Sequence, residues 1–449
     1  MSKEKFGGGA AVVMAMAGSA IGLGNLWRFP YMVGQNGGAA FVLVYLVSIV
    51  LLSLPVFYSE SVIGRATGAN TFGAIDTLAP GSKWKLLGLL TILSPIIIMA
   101  FYSVVGGWSI SYFFESVTSG FHEGDGIRFG GFISSVWGPL VCHTVFLGLT
   151  ALIVSLGVIS GIERFNKISL PLLFVLMITI MVYSLTLPGA REGVRYLVAP
   201  DFSKLTGGAL ADAVGQGFFS LSLGVGSVLT YSSYMKKEGR IIRYGFGTAF
   251  FDVMFALIAG FAIMPAVFSS GLEPGAGPGL IFETLPYIFS KMSAGAPLVG
   301  TVVPILFFLT VVVAALTSSI SMFEVVVAYL VEEKHIPRRK ATLMLFALCW
   351  ALGIICSLSF GPLAGVKIFG RNIFDACDIL TSNFFMMFGG LLFVIFAGWK
   401  MKRKTVIDEL TNNGSLKAAS KLAPALYFLM KYVAPLFIIA IFISGLLSL

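Results

Sequence analysis

Three stretches of the chain, 39–59, 86–114 and 129–161, contain no Asp, Glu, Lys or Arg. A bilayer core about 30 Å thick is crossed by roughly 20 apolar residues in a helix, so each stretch is long enough to span. Soluble domains carry about 25% charged residues. Of these 449 residues only 11% are charged and 57% are hydrophobic, too little charge to cover a water-facing surface of this size. Inside lipid every backbone N–H and C=O needs a partner within the protein, and the runs are read as helices. A signal peptide is shorter and occurs once, so the N-terminal segment is not read as one.

Eleven spans are expected, near 8–35, 39–64, 86–116, 137–158, 165–187, 209–234, 243–270, 298–331, 341–360, 372–399 and 422–448. With the N-terminus cytoplasmic, 21 of the 30 Lys and Arg fall inside, from Lys3 and Lys5 through Arg65, Lys236, Lys237, Arg240, Arg243 and Arg338 to Lys421. Eight fall outside, Arg28, Arg128 and Arg191 among them, and Lys431 lies within the last span. Excess Lys and Arg marks the cytoplasmic side, which gives N-terminus in and C-terminus out. The formal charge of +9 is therefore a topology signal and not a nucleic-acid patch. Cys142, Cys349, Cys356 and Cys377 form no Cys-x-x-Cys pair, so neither a disulfide nor a zinc framework is present.

Two of the runs are interrupted. Span 1 carries Gly22-Leu23-Gly24 and span 6 carries Gly224-Val225-Gly226, each near its middle. Glycine costs about 1 kcal/mol relative to alanine inside a helix and lets the backbone leave helical geometry. Unwound backbone at membrane depth is tolerated where it lines a cavity. There its carbonyls can meet a cation and a half-helix N-terminus an anion. Helix packing through small residues is the alternative reading. The matched pair, at the head of spans 1–5 and of spans 6–10, points to an inverted repeat with a midplane site. The expected fold is all-α, with 11 transmembrane helices, a 5+5 inverted repeat and broken helices 1 and 6. Its divisions are 1–190, 191–400 and, for the last loop and helix, 401–449.

At these residues the chain resembles the neurotransmitter:sodium symporter family, especially its bacterial amino-acid transporters. Ala15 to Pro30, Asn36-Gly37-Gly38-Ala39, Gly161-Ile162-Glu163-Arg164-Phe165 and Thr317-Ser318-Ser319 carry the likeness, which extends over essentially the whole chain. The family usually has twelve spans, and some bacterial members have eleven. The resemblance implies a bacterial cytoplasmic membrane and two sodium ions. The first would be held by Ala20, Asn25, Ser220 and Asp252, completed by the substrate carboxylate. The second would be held by the carbonyls of Gly18, Ile21 and Ala314 with the hydroxyls of Thr317 and Ser318. Sodium, like other hard cations, takes oxygen ligands. The competing role for such hydroxyls is a bond back to their own helix. Asp252 is a carboxylate inside an apolar run, which is costly and functional by default. Members that need chloride have a neutral residue there, so no chloride requirement is expected.

By the same resemblance Ser19, Ala20, Gly22, Leu23, Gly24, Ile98, Tyr102, Phe219, Ser220, Ser222, Val225, Ser318 and Met322 line the substrate site. No acid or base is among them, and a charged substrate side chain would stay unpaired. Gly22 stands where monoamine carriers have an aspartate, which favours amino acids. Val225 and adaptable Met322 suit leucine-like, methionine-like or aromatic side chains. Arg28 with Asp378, or Asp375 one turn before it, would close the outer side above Tyr102 and Phe219. Lys3 with Glu332, Phe6 and Tyr234 would close the inner side. Glu60 would cap amides freed by the broken helices, Glu324 faces the bundle without an assigned role, and Gly161 and Pro171 bracket a segment that unwinds in relatives. Oligomeric state is monomer or weak dimer.

Each cation crossing 100 mV supplies about 2.3 kcal/mol, so two give about a thousandfold accumulation. No phosphate-binding loop is present, which argues against a primary pump. An intramembrane enzyme would need a nucleophile with a base, or a metal cluster. His122, His143 and His335 do not supply one. Other readings are a carrier for another small zwitterion or amine, a sodium-gated channel, or a receptor of the same fold. Uptake measured with chloride replaced by gluconate is expected to be unchanged, and a large loss would refute the chloride-independent reading.

Overall fold

The computed structural model describes residues 3–122, 128–271 and 279–447. The last residue of the expected final span, 448, lies outside that set. Nine helices among the described residues are long and apolar enough to cross a membrane: α3 (Ala39–Thr67), α4 (Lys85–Thr118), α5 (Trp137–Ser155), α6 (Val158–Leu185), α9 (Ile241–Ser269), α10 (Pro297–Glu332), α11 (Arg338–Leu358), α12 (Ile373–Lys400) and α13 (Lys417–Ile443). A bent pair, α1 (Gly9–Ala20) and α2 (Gly24–Gln35), makes a tenth, with 56° between its halves. The expected span 209–234 is two helices, α7 (Gly207–Ser220) and α8 (Ser227–Ser233), of 14 and 7 residues. Neither half reaches membrane length by itself, so the count by length and composition is ten where eleven were expected. Short helices such as Thr71–Leu78, Ala190–Val198 and Arg403–Thr411 lie between the spans.

The longest helices, α4 and α10, make the most extensive contact in the molecule. Small residues let helices approach: a Cβ on Gly107 of α4 would stand 2.5 Å from the His143 backbone nitrogen of α5. That is the membrane mode of packing, where lipid offers no hydrophobic drive and close contact supplies the attraction. His143 itself is buried between α4, α5 and α11, its ring against Gly353, which is a structural position.

The two interruptions have different geometry. After α1 the chain turns extended at Ile21 (φ −72°, ψ 108°), then opens α2 with a wide π-helical turn at Gly24–Arg28. Between α7 and α8 the backbone turns left-handed at Ser222, Gly224 and Gly226, with φ of 51°, 80° and 80°. Positive φ is easy only for glycine. Space forces the same choice, because a Cβ on Gly224 would strike the carbonyl of Met386 and come within 2.8 Å of the Gly390 nitrogen, both on α12. The nine residues between Gly161 and Pro171 are helical here, after a wide turn over Val158–Glu163.

Glu60 of α3 is fully buried and takes the amides freed by the second interruption. Its Oε1 accepts from the Gly224 N–H at 2.8 Å and its Oε2 from the Leu229 N–H at 3.4 Å. Removing the acceptor leaves both amides without a partner, at about 1–3 kcal/mol each. Glu60→Ala is expected to lower the thermal midpoint of the purified protein by several degrees, and Glu60→Gln by less. Equal midpoints for wild type and Glu60→Ala would show that the carboxylate holds nothing.

Candidate functional site

The interruptions face each other across the bundle. The Ser222 hydroxyl donates to the Ser19 carbonyl at 3.0 Å, and the Gln216 amide donates to the Gly24 carbonyl at 3.2 Å. Between them lies a cavity of about 30 Å³ lined by Ala20, Gly22, Leu23, Gly24, Ile98, Tyr102, Phe219, Ser222, Val225, Ser318, Met322 and Met386. That is room for a water or so, and a larger guest needs the walls to part. The Tyr102 hydroxyl is buried beside Gly22, close to Leu23 and Ser318 but in no well-formed hydrogen bond with a described residue. Two residues expected in the pocket are turned away from it. Ser19 donates its hydroxyl to Ser321 at 2.7 Å, and Ser220 points to Asp252. Met386 of α12 is a lining residue that sequence reasoning missed. Its only sequence signal is the neighbouring pair Gly389-Gly390, which lets α12 approach the second interruption.

Three of the residues expected at the first sodium site form one cluster. Asn25 donates to Asp252 Oδ1 at 2.8 Å and to the Ser220 hydroxyl at 3.1 Å. Ser220 donates to Asp252 Oδ2 at 2.7 Å. Asn25 Oδ1 accepts from the Gly22 N–H at 3.1 Å, and the Tyr45 hydroxyl lies 3.5 Å from Ser220 Oγ. Asp252 is fully buried and forms no ion pair with any described residue. A buried carboxylate among neutral oxygen donors fits a small hard cation.

The second expected site also converges. The Thr317 hydroxyl bonds the Ile21 carbonyl at 3.1 Å and the Ala314 carbonyl at 2.8 Å. The Ser318 hydroxyl reaches the Ser19 and Ile21 carbonyls at 3.1 and 3.3 Å. Gly18 is pressed against Asn166 Oδ1, a buried oxygen with no donor. The extended backbone at Ile21 frees the Ser19 and Ile21 carbonyls, and the set of oxygens again fits a hard cation. Among the described residues no group of three or more His, Cys, Asp or Glu gathers, so a transition-metal centre is not what this cluster resembles.

At the end expected to face outward, Arg28 does not pair directly with Asp378. Its guanidinium lies 4.6 Å from the Phe219 ring centre, a cation–π contact, while Asp378 accepts from Ser382 at 2.8 Å. Asp375 is exposed and held by Asn372 at 2.8 Å, which leaves Asp378 as the inward carboxylate. At the opposite end Lys3 pairs with Glu332 at 2.6 Å, donates to the Gly68 carbonyl and the Ser233 hydroxyl at 2.9 Å each, and sits over the Tyr234 ring. Burial pushes the Lys3 ammonium pKa down, and Glu332 opposes that shift. Phe6 packs edge-on against Tyr231 and Tyr234. Glu324, unassigned from sequence, accepts from the Tyr234 hydroxyl at 2.6 Å and pairs with Arg338.

Comparison with known proteins accords with this geometry. The model of the sodium:neurotransmitter symporter family matches residues 3–123 and 134–449. The chain is 38% identical to the uncharacterized sodium-dependent transporter YhdH of Bacillus subtilis, over 97% of this chain and 96% of that protein. It is 36% identical to an uncharacterized sodium-dependent transporter of Haemophilus influenzae, over 97% and 96%. It is 26% identical to the sodium-dependent serotonin transporter of Drosophila melanogaster, over 100% and 77%. The crystal structure of MhsT in complex with L-phenylalanine superposes with a TM-score of 0.90 at 40% identity, covering 99% of this chain and 100% of that one. The likeness runs along nearly the whole chain, and the chain belongs to the sodium:neurotransmitter symporter family, a family of sodium-coupled membrane transporters and not of enzymes.

Proposed function

We propose that this protein carries neutral, hydrophobic or aromatic L-amino acids across a bacterial cytoplasmic membrane together with sodium, by alternating access and without chloride. The observation that carries the reading is Asp252. It is a fully buried carboxylate with no cationic side chain beside it, sharing hydrogen bonds with Asn25 and Ser220 next to the cavity. Sodium there would supply the missing positive charge and offer a face to a substrate carboxylate. The buried carboxylate also provides the negative charge that chloride would otherwise bring. A second sodium would sit among Gly18, Ile21, Ala314, Thr317 and Ser318.

The cavity wall supports the substrate class. It contains no charged side chain, so a charged substrate side chain would lie buried and unpaired. A Cβ on Gly22 would strike the Ser318 hydroxyl, which leaves no space for an aspartate that could hold an amine. The Tyr102 hydroxyl is placed to donate to a carboxylate. The likeness to MhsT, solved with L-phenylalanine, points the same way. The proposed working parts are the repeats 1–190 and 191–400, with 401–449 appended. Lys3 with Glu332 closes the inner side, and Arg28 over Phe219, with Asp378 near, closes the outer side. The N-terminus is cytoplasmic and the C-terminus outside.

A binding screen of the twenty amino acids, with sodium and with sodium replaced by potassium, is expected to show binding only in sodium. Hydrophobic and aromatic side chains should bind best and Glu, Lys and Arg not at all. Sodium-independent binding, or a preference for a charged amino acid, would overturn the proposal. Val225→Phe fills the side-chain end of the cavity. It is expected to weaken tryptophan relative to alanine by at least about tenfold, the scale of a few methylenes of lost space. An unchanged ratio would place the substrate side chain elsewhere.

A further inference from the structure

Two apolar grooves open on the flank of the bundle at the end that carries Lys3 and Glu332. One, of about 800 Å³, runs between α1, α6 and α9 over Val13, Leu170, Pro171 and Phe251. The other, of about 530 Å³, runs between α3, α9 and α13 over Leu54, Tyr58, Leu422 and Leu426. Arg240, Arg243 and Phe246 line both. They follow at three-residue spacing around the start of α9, so they share one helical face. Phe246 is 62% exposed and forms the wall common to the two grooves.

The arginines distinguish these two grooves from the third apolar groove on the flank. Both are exposed, and neither forms an ion pair or side-chain hydrogen bond with a described residue. Three other cations at the same end are held in ion pairs, Lys3 by Glu332, Arg65 by Glu409 and Arg338 by Glu324. A third groove of about 300 Å³, between α3, α7 and α13, has apolar walls and no basic residue, so a furrow between helices does not by itself bring a guanidinium pair.

A planar guanidinium binds phosphate oxygens bidentately, and two side by side prefer a group with net negative charge. Free phosphate would leave the apolar walls uncovered. The volumes fall in the range of about 300–1,000 Å³ that holds small ligands. We propose that Arg240 and Arg243 bind the phosphate of an anionic diacyl phospholipid, with its two chains lying in the two grooves on either side of Phe246. A zwitterionic lipid carries its own ammonium and gains less from the pair. Basic pockets at the ends of membrane helices take anionic headgroups by the same physics.

The test uses the full-length purified protein, stripped of lipid in detergent and titrated with phosphatidylglycerol or phosphatidylcholine, with adducts read by native mass spectrometry. Phosphatidylglycerol is expected to form a one-to-one adduct at least tenfold more tightly than phosphatidylcholine. Arg240→Gln with Arg243→Gln should weaken it roughly thirtyfold, the effect of two charges at a membrane surface, while the double Lys variant keeps most of the affinity. Equal retention of the two lipids, or an undiminished adduct in the Gln variant, overturns the proposal. So does full displacement of phosphatidylglycerol by inorganic phosphate, which would mark a free-phosphate site. Should the Gln variant not be recovered folded, lyso-phosphatidylglycerol on the wild type decides. One chain fills one groove, and affinity equal to that of the diacyl lipid refutes the two-groove arrangement.

Discussion

Backbone amides freed inside a bilayer have no water to bond, and the architecture of this protein follows from how it meets that constraint. The chain leaves helical geometry twice at membrane depth. At the second place Glu60, from a neighbouring span, reaches two of the freed amides. At the first, the freed carbonyls of Ser19 and Ile21 are met by the hydroxyls of Ser222, Thr317 and Ser318. Each interruption is thus completed by side chains from elsewhere in the bundle, which draws α1, α7, α10 and α3 to one point. A cavity at that point is a consequence of the satisfied backbone and not a separate feature.

Buried carboxylates divide into kinds by what surrounds them. Glu324 is neutralised by Arg338, and Glu60 is spread over backbone amides. Asp252 is met by Asn25 and Ser220, with Tyr45 beside them. A carboxylate is held in lipid by whatever positive charge or donors it can gather, and the third has gathered neutral side-chain donors beside the cavity, with no cation. The contrast singles out the place where a mobile cation has most to contribute.

Much of this was legible in the sequence. Uncharged runs announced the spans, because only lipid tolerates them. The paired Gly-x-Gly motifs announced the interruptions, because glycine alone takes positive φ without strain, as Gly224 and Gly226 do. Asp252 stood out as a lone acid in an apolar run. Side-chain direction was harder to read. Ser19 turns to Ser321 and away from the cavity, and Met386 enters from a helix more than 150 residues along the chain from Val225, with no periodicity to report it. The partner of Glu324 was hidden because Arg338 follows a turn and was counted with the loop cations. Arg28 rests on an aromatic face where an ion pair was anticipated, since the gate residues share no helix and their separation is a property of packing.

The first described residues fasten one end of the bundle at several points at once. Lys3 grips Glu332, Glu4 accepts from the amides of Val158 and Ile159, the Phe6 amide bonds the Tyr234 carbonyl, and the Gly7 amide bonds Glu163. These anchors lie on α6, on α10 and just past α8. A strap stitched at four places behaves like a zip whose teeth share the load, since undoing one leaves the others to restore it. Release of that end is therefore a collective event, with a sharp threshold in place of a graded loosening.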